Sequence, residues 1–308
     1  MHGRTPRSLL NYDGFFRWLA NLPYADTEAA VAQDQVIAVT AATIEGDLIH
    51  FRFVSGNPRE IPLLFDRQTG ATMEARTPDN TWLAEATRVS VMPQDRLIFI
   101  ENRRRGVSAT SLERYFFRIS TNRGYGPVDL DLDPLPALSL EREILDLSRI
   151  KEASIVVNRP NVDWNDASDV LSELAGDSKG KDAAVVIHAP RGESLSKEEG
   201  IISVIIGNIR RRLPNVRDMR VVGRREGETT DHTVSLQRHQ LRVKAQVDDG
   251  APAEEQDESV WVAVRRLAAE ARLIVRGEAP APEPDISLPP VSEPRTLQDT
   301  GDDDSPGS

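Results

Sequence analysis

The chain has 308 residues, 38 basic and 49 acidic, with a formal net charge of −11; 39% of residues are apolar and 28% charged. That balance supports a packed core and excludes a wholly disordered chain. Cysteine is absent, which excludes disulfides, thiolate metal sites and cysteine nucleophiles.

No apolar run approaches the ~20 residues of a membrane span. The longest candidate is Ile201-Ile202-Ser203-Val204-Ile205-Ile206, and no apolar stretch of a secretory signal follows Met1-His2-Gly3-Arg4. The expectation is a soluble cytoplasmic protein without a membrane partner.

The pattern predicts a short helix over residues 9–22, closed by Pro23. Residues 36–102 then read as an antiparallel meander. Val36–Val39 and Leu48–Val54 flank the turn Glu45-Gly46-Asp47, and Ile49, Phe51 and Phe53 alternate as in a half-buried strand. Further strands are expected at 61–65, 71–75, 82–91 and 96–101. Thr110-Ser111-Leu112-Glu113 has the form of a capping box opening a helix. A connection rich in Gly and Pro leads to another helix at 138–147.

The second unit reads β-α-β-α-β-β-β-α. Strands are expected at 153–157, 183–188, 216–222, 230–236 and 241–247, and helices at 165–175, 196–213 and 256–275. Ala183–His188 lacks alternation and so reads as a central strand. The predicted fold class is α+β: an N-terminal antiparallel β-meander with flanking helices over 1–148, then an α/β sandwich over 149–276 with helices mostly on one face. Residues 277–308 carry one Arg, eight acids and seven prolines, and are expected to be a disordered acidic tail.

Charge is unevenly placed. Residues 1–148 carry net −4, 149–276 net zero and the tail −7. Within the neutral part, Arg210, Arg211, Arg212, Arg217, Arg220, Arg224, Arg225, Arg238, Arg242 and Lys244 face only four acids, for a local net of +6. This window is the best candidate for contact with DNA or RNA phosphates. A solvated face or a dock for the acidic tail explains it equally well, and few aromatics are interleaved for base stacking.

Other motifs have plain readings. There is no Walker A loop, G-x-G-x-x-G, G-x-S-x-G or H-E-x-x-H. Asp163, Asp166 and Asp169 resemble a carboxylate cluster for Mg²⁺ or Ca²⁺, but they span the start of a predicted helix, where acids satisfy free N–H groups and suit the dipole. Asp177-Ser178-Lys179 sits between glycines and reads as a turn. Arg191, Ser194 and Lys197, between a strand and a helix N-terminus, form a candidate anion site. No cofactor or metal site is expected, and the sequence singles out no catalytic residue.

Three stretches together carry a family resemblance: Glu113-Arg114-Tyr115-Phe116, Asn158-Arg159-Pro160-Asn161-Val162-Asp163-Trp164, and Ala189-Pro190-Arg191-Gly192-Glu193-Ser194-Leu195. With Asn208 in the following helix, their order resembles uncharacterised bacterial proteins associated with prophage and anti-phage defence genes. With the missing catalytic motifs and the basic window, the reading is a non-enzymatic, nucleic-acid-associated or sensor protein of bacterial defence or a mobile element. A metal-dependent nuclease using Asp163, Asp166 or Asp177 and a protein-interaction module are the alternatives.

Overall fold

A computed structural model describes residues 1–5, 9–75, 78, 81–137, 139–158, 182–211 and 216–276. The helix expected at 165–175, Asp163, Asp166, Asp177, Arg212 and the acidic tail lie outside the described residues, as does the side chain of Arg211. The first part of the chain runs β1 (His2–Arg4), α1 (Tyr12–Ala20), β2 (Ala29–Ala32), β3 (Gln35–Glu45), β4 (Leu48–Gly56), β5 (Leu63–Phe65), β6 (Thr72–Glu74), β7 (Glu85–Met92), β8 (Leu97–Ile100), α2 (Ala109–Asn122) and β9 (Asp129–Asp131). The second runs α3 (Ser139–Leu145), β10 (Leu147–Asn158), β11 (Asp182–His188), α4 (Gly200–Arg211), β12 (Val216–Arg225), β13 (His232–Ser235) and α5 (Ala253–Arg276). The fold is α+β, with every strand pair antiparallel.

The first sheet has the order β2-β3-β4-β7-β8. Gly46, at φ 60°, makes the tight turn between β3 and β4, and Glu45 pairs with Leu48 across it. Alternation along β4 sends Ile49, Phe51 and Phe53 to one face, where they meet α1 and α2. There Phe15, Phe16 and Phe116 pack edge to face, with ring centroids 5.1 to 5.8 Å apart. The cap of α2 is Ser108, whose hydroxyl accepts from Ser111 N at 3.1 Å; the helix starts before the predicted box at Thr110.

The opposite face of this sheet carries polar alternates, and the sequence pattern assigns them to solvent. The structure corrects that: His50, Arg88 and Ser90 are buried. They are covered by α5, whose residues Val260, Val264, Ala268 and Ala271 pack on Leu48, Met92 and Phe99. The sequence groups this helix with the second unit, yet its apolar stripe lies on the first sheet. Periodicity defines the apolar face of a helix and not the sheet that receives it.

Charge pairs fix α5 in place. Asp257 accepts from Arg88 Nε at 2.8 Å and from Arg52 Nε at 2.8 Å, and the Asp257 and Arg88 side chains are each only 2% exposed. Arg88 also donates to Gln256 Oε1 at 2.9 Å and lies 3.4 Å from Glu101. Farther along, Arg265 reaches Glu45 at 2.9 Å and Arg272 reaches Asp95 at 2.9 Å. His50 stacks on Trp261 with centroids 4.8 Å apart, and its Nδ1 lies 2.7 Å from Ser90 Oγ.

The second sheet has the order β11-β10-β12-β13. Ile150, Ala153, Ile155 and Val157 of β10 and Met219 and Val221 of β12 face α3 and α4, whose stripe is Ile202, Ile205, Ile206 and Ile209. Gly223 sits at an irregularity of the β10–β12 ladder, where a Cβ would lie 2.4 Å from the Arg149 carbonyl oxygen. Two expectations are corrected here. Among the described residues β11 pairs with β10 alone and so stands at the edge of the sheet and not at its centre; Val186 and Ile187 are exposed, so a run without alternation does not require a strand on each side. Residues 241–247 form no strand: Leu241 and Val247 are used in the core under α5, and Val243 is exposed. The segments entering and leaving the second sheet run side by side, joined by Ala137 N to His239 O and Leu241 N to Leu135 O, both 2.8 Å.

Candidate docking hairpin and the basic window

Between β4 and β7 the chain leaves the first sheet and forms the two-stranded hairpin β5–β6. Its turn is built locally. Asp66 Oδ1 accepts from Gln68 N at 2.7 Å and Thr69 N at 3.2 Å, and Gly70 takes φ 72°. Those amide donors hold the Asp66 carboxyl below its ordinary range, the Gln68 N–H most strongly. At the other end the hairpin is pinned where the chain crosses itself. A Cβ on Gly56 would lie 2.1 Å from the Leu83 carbonyl oxygen and 2.6 Å from the Trp82 ring.

What the hairpin presents is apolar. Leu63, Leu64, Phe65 and Met73 are 54 to 67% exposed, and Ile61 and Leu83 at its base are each 59% exposed. The register pairs Leu64 with Met73, and Leu63 with Glu74. By strand alternation Leu64 and Met73 lie on one side and Leu63 and Phe65 on the other, so both sides carry apolar surface. An isolated two-stranded hairpin is marginal in water, and a contiguous exposed apolar surface marks a contact site. Sequence reasoning placed both strands but gave them no role. The available signal is the run Leu63-Leu64-Phe65, three apolar residues without alternation beside a polar turn.

The basic window is spread out. Arg210 meets Glu141 at 2.6 Å, Arg224 meets Asp231 at 3.3 Å, and Arg225 pairs with Glu143. Asp231 also pairs with Lys151, which is the main reason its carboxyl titrates below its ordinary value. Arg242 donates to the carbonyls of Gln237 and Arg238. Arg217 acts on Asp133, a carboxyl that burial pushes up to about 7. Arg220, Arg238 and Lys244 are exposed, and among the described residues none of the three has an acid within ion-pair distance. Arg220 lies on the face of the second sheet opposite α3 and α4, in register with Ser154 and Ser235.

The candidate anion residues are each engaged separately. Ser194 Oγ accepts from Ile150 N at 2.9 Å and donates to the Leu195 carbonyl at 3.1 Å. Lys197 Nζ donates to the Leu145 carbonyl at 2.6 Å, while Arg191 is exposed. Helix α4 begins at Gly200, and Ser196 caps the preceding turn, accepting from Glu198 N and Glu199 N at 3.3 Å. The loop is therefore stitched along β10 and the helix start lies beyond it. Among the described residues no three His, Asp or Glu side chains come close enough to share a metal ion, and no helix is long and apolar enough to cross a membrane.

The comparison with known families falls across both sheets. Residues 87–207 match a domain of unknown function, DUF4747. The matched stretch runs from β7 through α4, and contains Arg88 and Glu101 of the buried charge network. It leaves out the β5–β6 hairpin, β12 and α5. No curated protein matches the chain.

Proposed function

We propose that this protein is a non-catalytic interaction module that docks the β5–β6 hairpin into an apolar groove of a partner protein. The observation that carries the reading is the pair of exposed apolar sides on a hairpin whose strands, among the described residues, pair only with each other. A lipid surface is the poorer occupant, because the tip is the polar run Asp66-Arg67-Gln68-Thr69 while the apolar residues sit behind it. Membership in a bacterial defence or mobile-element system rests on the resemblance of the three motifs. Of these, Tyr115 and Phe116 serve the core, and Glu113 accepts from Leu132 N at 2.9 Å.

The test compares the wild type with L64S/F65S. After nuclease treatment of the extract, a protein captured by the wild type and lost by the variant is purified and its binding measured by calorimetry. Direct binding to the wild type and at least tenfold weaker binding to the variant support the reading. Equal binding to both overturns it.

A second reading, sequence-independent binding of nucleic acid, is favoured by the exposed Arg220, Arg238 and Lys244. Such binding weakens steeply with salt, and replacing these three with Ala reduces the salt slope. Binding unchanged by salt or by the replacements removes this reading.

A further inference from the structure

Among the described residues strand β11 ends the second sheet, and its hydrogen-bonding parity can be read from one contact. Ala189 N donates to Lys151 O at 2.8 Å, flanking the Glu152–His188 pair. That makes Glu152–His188 a pair without mutual hydrogen bonds. Ala183, Val185 and Ile187 therefore exchange bonds with β10. The backbone groups of residues 182, 184, 186 and 188 point to the outer edge. Among the described residues no strand pairs with that edge. Its register against β10 has no bulge, its sequence has no Pro or Lys, and Val186 and Ile187 are 53% and 40% exposed. These are the devices that protect an edge strand, and here they are missing.

We propose that two copies of the chain pair through β11, antiparallel, about a twofold axis at Val185, joining their second sheets into one continuous sheet. The strand is its own complement in this register. Ala184 stands opposite Val186 of the second copy, and residue 182, an aspartate in the sequence, opposite His188; all four are outward-bonding positions. Val185 meets Val185 and Ala183 meets Ile187 at the close pairs without mutual hydrogen bonds. Ala183 and Ala184 face the larger Ile187 and Val186, and Val185 faces its own copy across the axis. Val185 already packs on the core of the second sheet, so the pairing extends that core across the axis. An isologous contact of this kind closes on itself and does not propagate. One short strand pair buries less than the ~1,200 Å² at the lower end of stable interfaces, so the dimer is a weak one, in rapid exchange.

Sedimentation velocity on the full chain from micromolar to several hundred micromolar reads the outcome. The wild type is expected to move from monomer toward dimer as concentration rises. V186P removes an outward N–H and leaves the β10 ladder intact. It is expected to stay monomeric, with unchanged circular dichroism. Because the chain has no cysteine, V185C gives an independent readout. Facing Cα atoms at such a pair are ~4.5 Å apart, within disulfide range, so mild oxidation yields a covalent dimer. L64S/F65S retains the dimer, which separates this contact from hairpin docking. A wild type that remains monomeric throughout, a dimer that persists in V186P, or V185C that does not cross-link overturns the proposal. So does a monomeric wild type whose V186P variant loses stability, since the chain itself then covers the edge.

Discussion

Replacing Asp257 with Asn removes one charge from the centre of the contact between α5 and the first sheet. The Asp257 carboxylate accepts from two guanidinium groups, Arg88 Nε at 2.8 Å and Arg52 Nε at 2.8 Å. Arg88 is 2% exposed and Arg52 16%. Breaking a buried pair by removing one partner costs about 3–5 kcal/mol, mostly because the remaining charge stays out of water. Arg88 keeps Gln256 at 2.9 Å and Glu101 at 3.4 Å, so the lower end applies, about 3 kcal/mol. At ~2–4 °C per kcal/mol for a chain of this size, the thermal midpoint falls by roughly 6–12 °C. Thermal and urea unfolding followed by circular dichroism and tryptophan fluorescence measure the midpoint and the free energy, with Trp261 on α5 reporting departure from His50. The double change R88L/D257L leaves no orphaned charge between these two positions. Its cost should fall short of the sum of the single changes by at least 1 kcal/mol. A D257N cost below about 1 kcal/mol, or strict additivity in the cycle, refutes the argument that this network holds the helix.

Three further outcomes follow from the same packing. Burial holds the His50 imidazole below its ordinary value of 6.5, against a weaker upward pull from Glu45. The unfolded chain therefore takes up a proton first as pH drops below 6.5, and stability is lost in that direction. H50N should flatten the decline of the thermal midpoint between pH 7 and 5, and parallel curves for variant and wild type would refute this. G56A forces a Cβ against the Leu83 carbonyl; it should cost about 1–3 kcal/mol and speed proteolysis within residues 57–84, whereas unchanged digestion would show the crossing to be loose. L64S/F65S changes only exposed positions and should move stability by no more than about 0.5 kcal/mol, so a large loss would mean that the hairpin packs on the body.

The meander was legible because its signals are local. Gly46 between two alternating runs specifies a hairpin whatever surrounds it, and the Ile202–Ile209 stripe specifies a buried helix face. What the sequence withheld depends on partners distant along the chain. His50, Arg52 and Arg88 look like a solvated strand face until Asp257 and Gln256 arrive from a helix far along the chain. The count of cations from Arg210 to Lys244 was correct, but Glu141 and Glu143, which neutralise Arg210 and Arg225, lie on α3, outside any local window. Strand β11 shows the converse. Apolar residues on both of its sides signal burial, and the pattern alone does not distinguish cover by the same chain from cover by another.

The return of α5 to the first sheet has a consequence for synthesis. When Ile100 has left the ribosome, all five strands of that sheet exist, yet Leu48, Met92, Phe99, His50 and Arg88 still lack the helix that covers them. About 150 residues must be added first, which takes on the order of ten seconds at ~5–20 residues per second. During that interval the second sheet can form, because Leu135–Ala137 and His239–Leu241 close its entrance before residue 253 appears. The nascent chain thus passes through a stage with two finished cores and one open face, on which Leu48, Met92 and Phe99 lie bare. That face is the one most in need of a chaperone, and a ribosome stalled before Ala253 should present it to one.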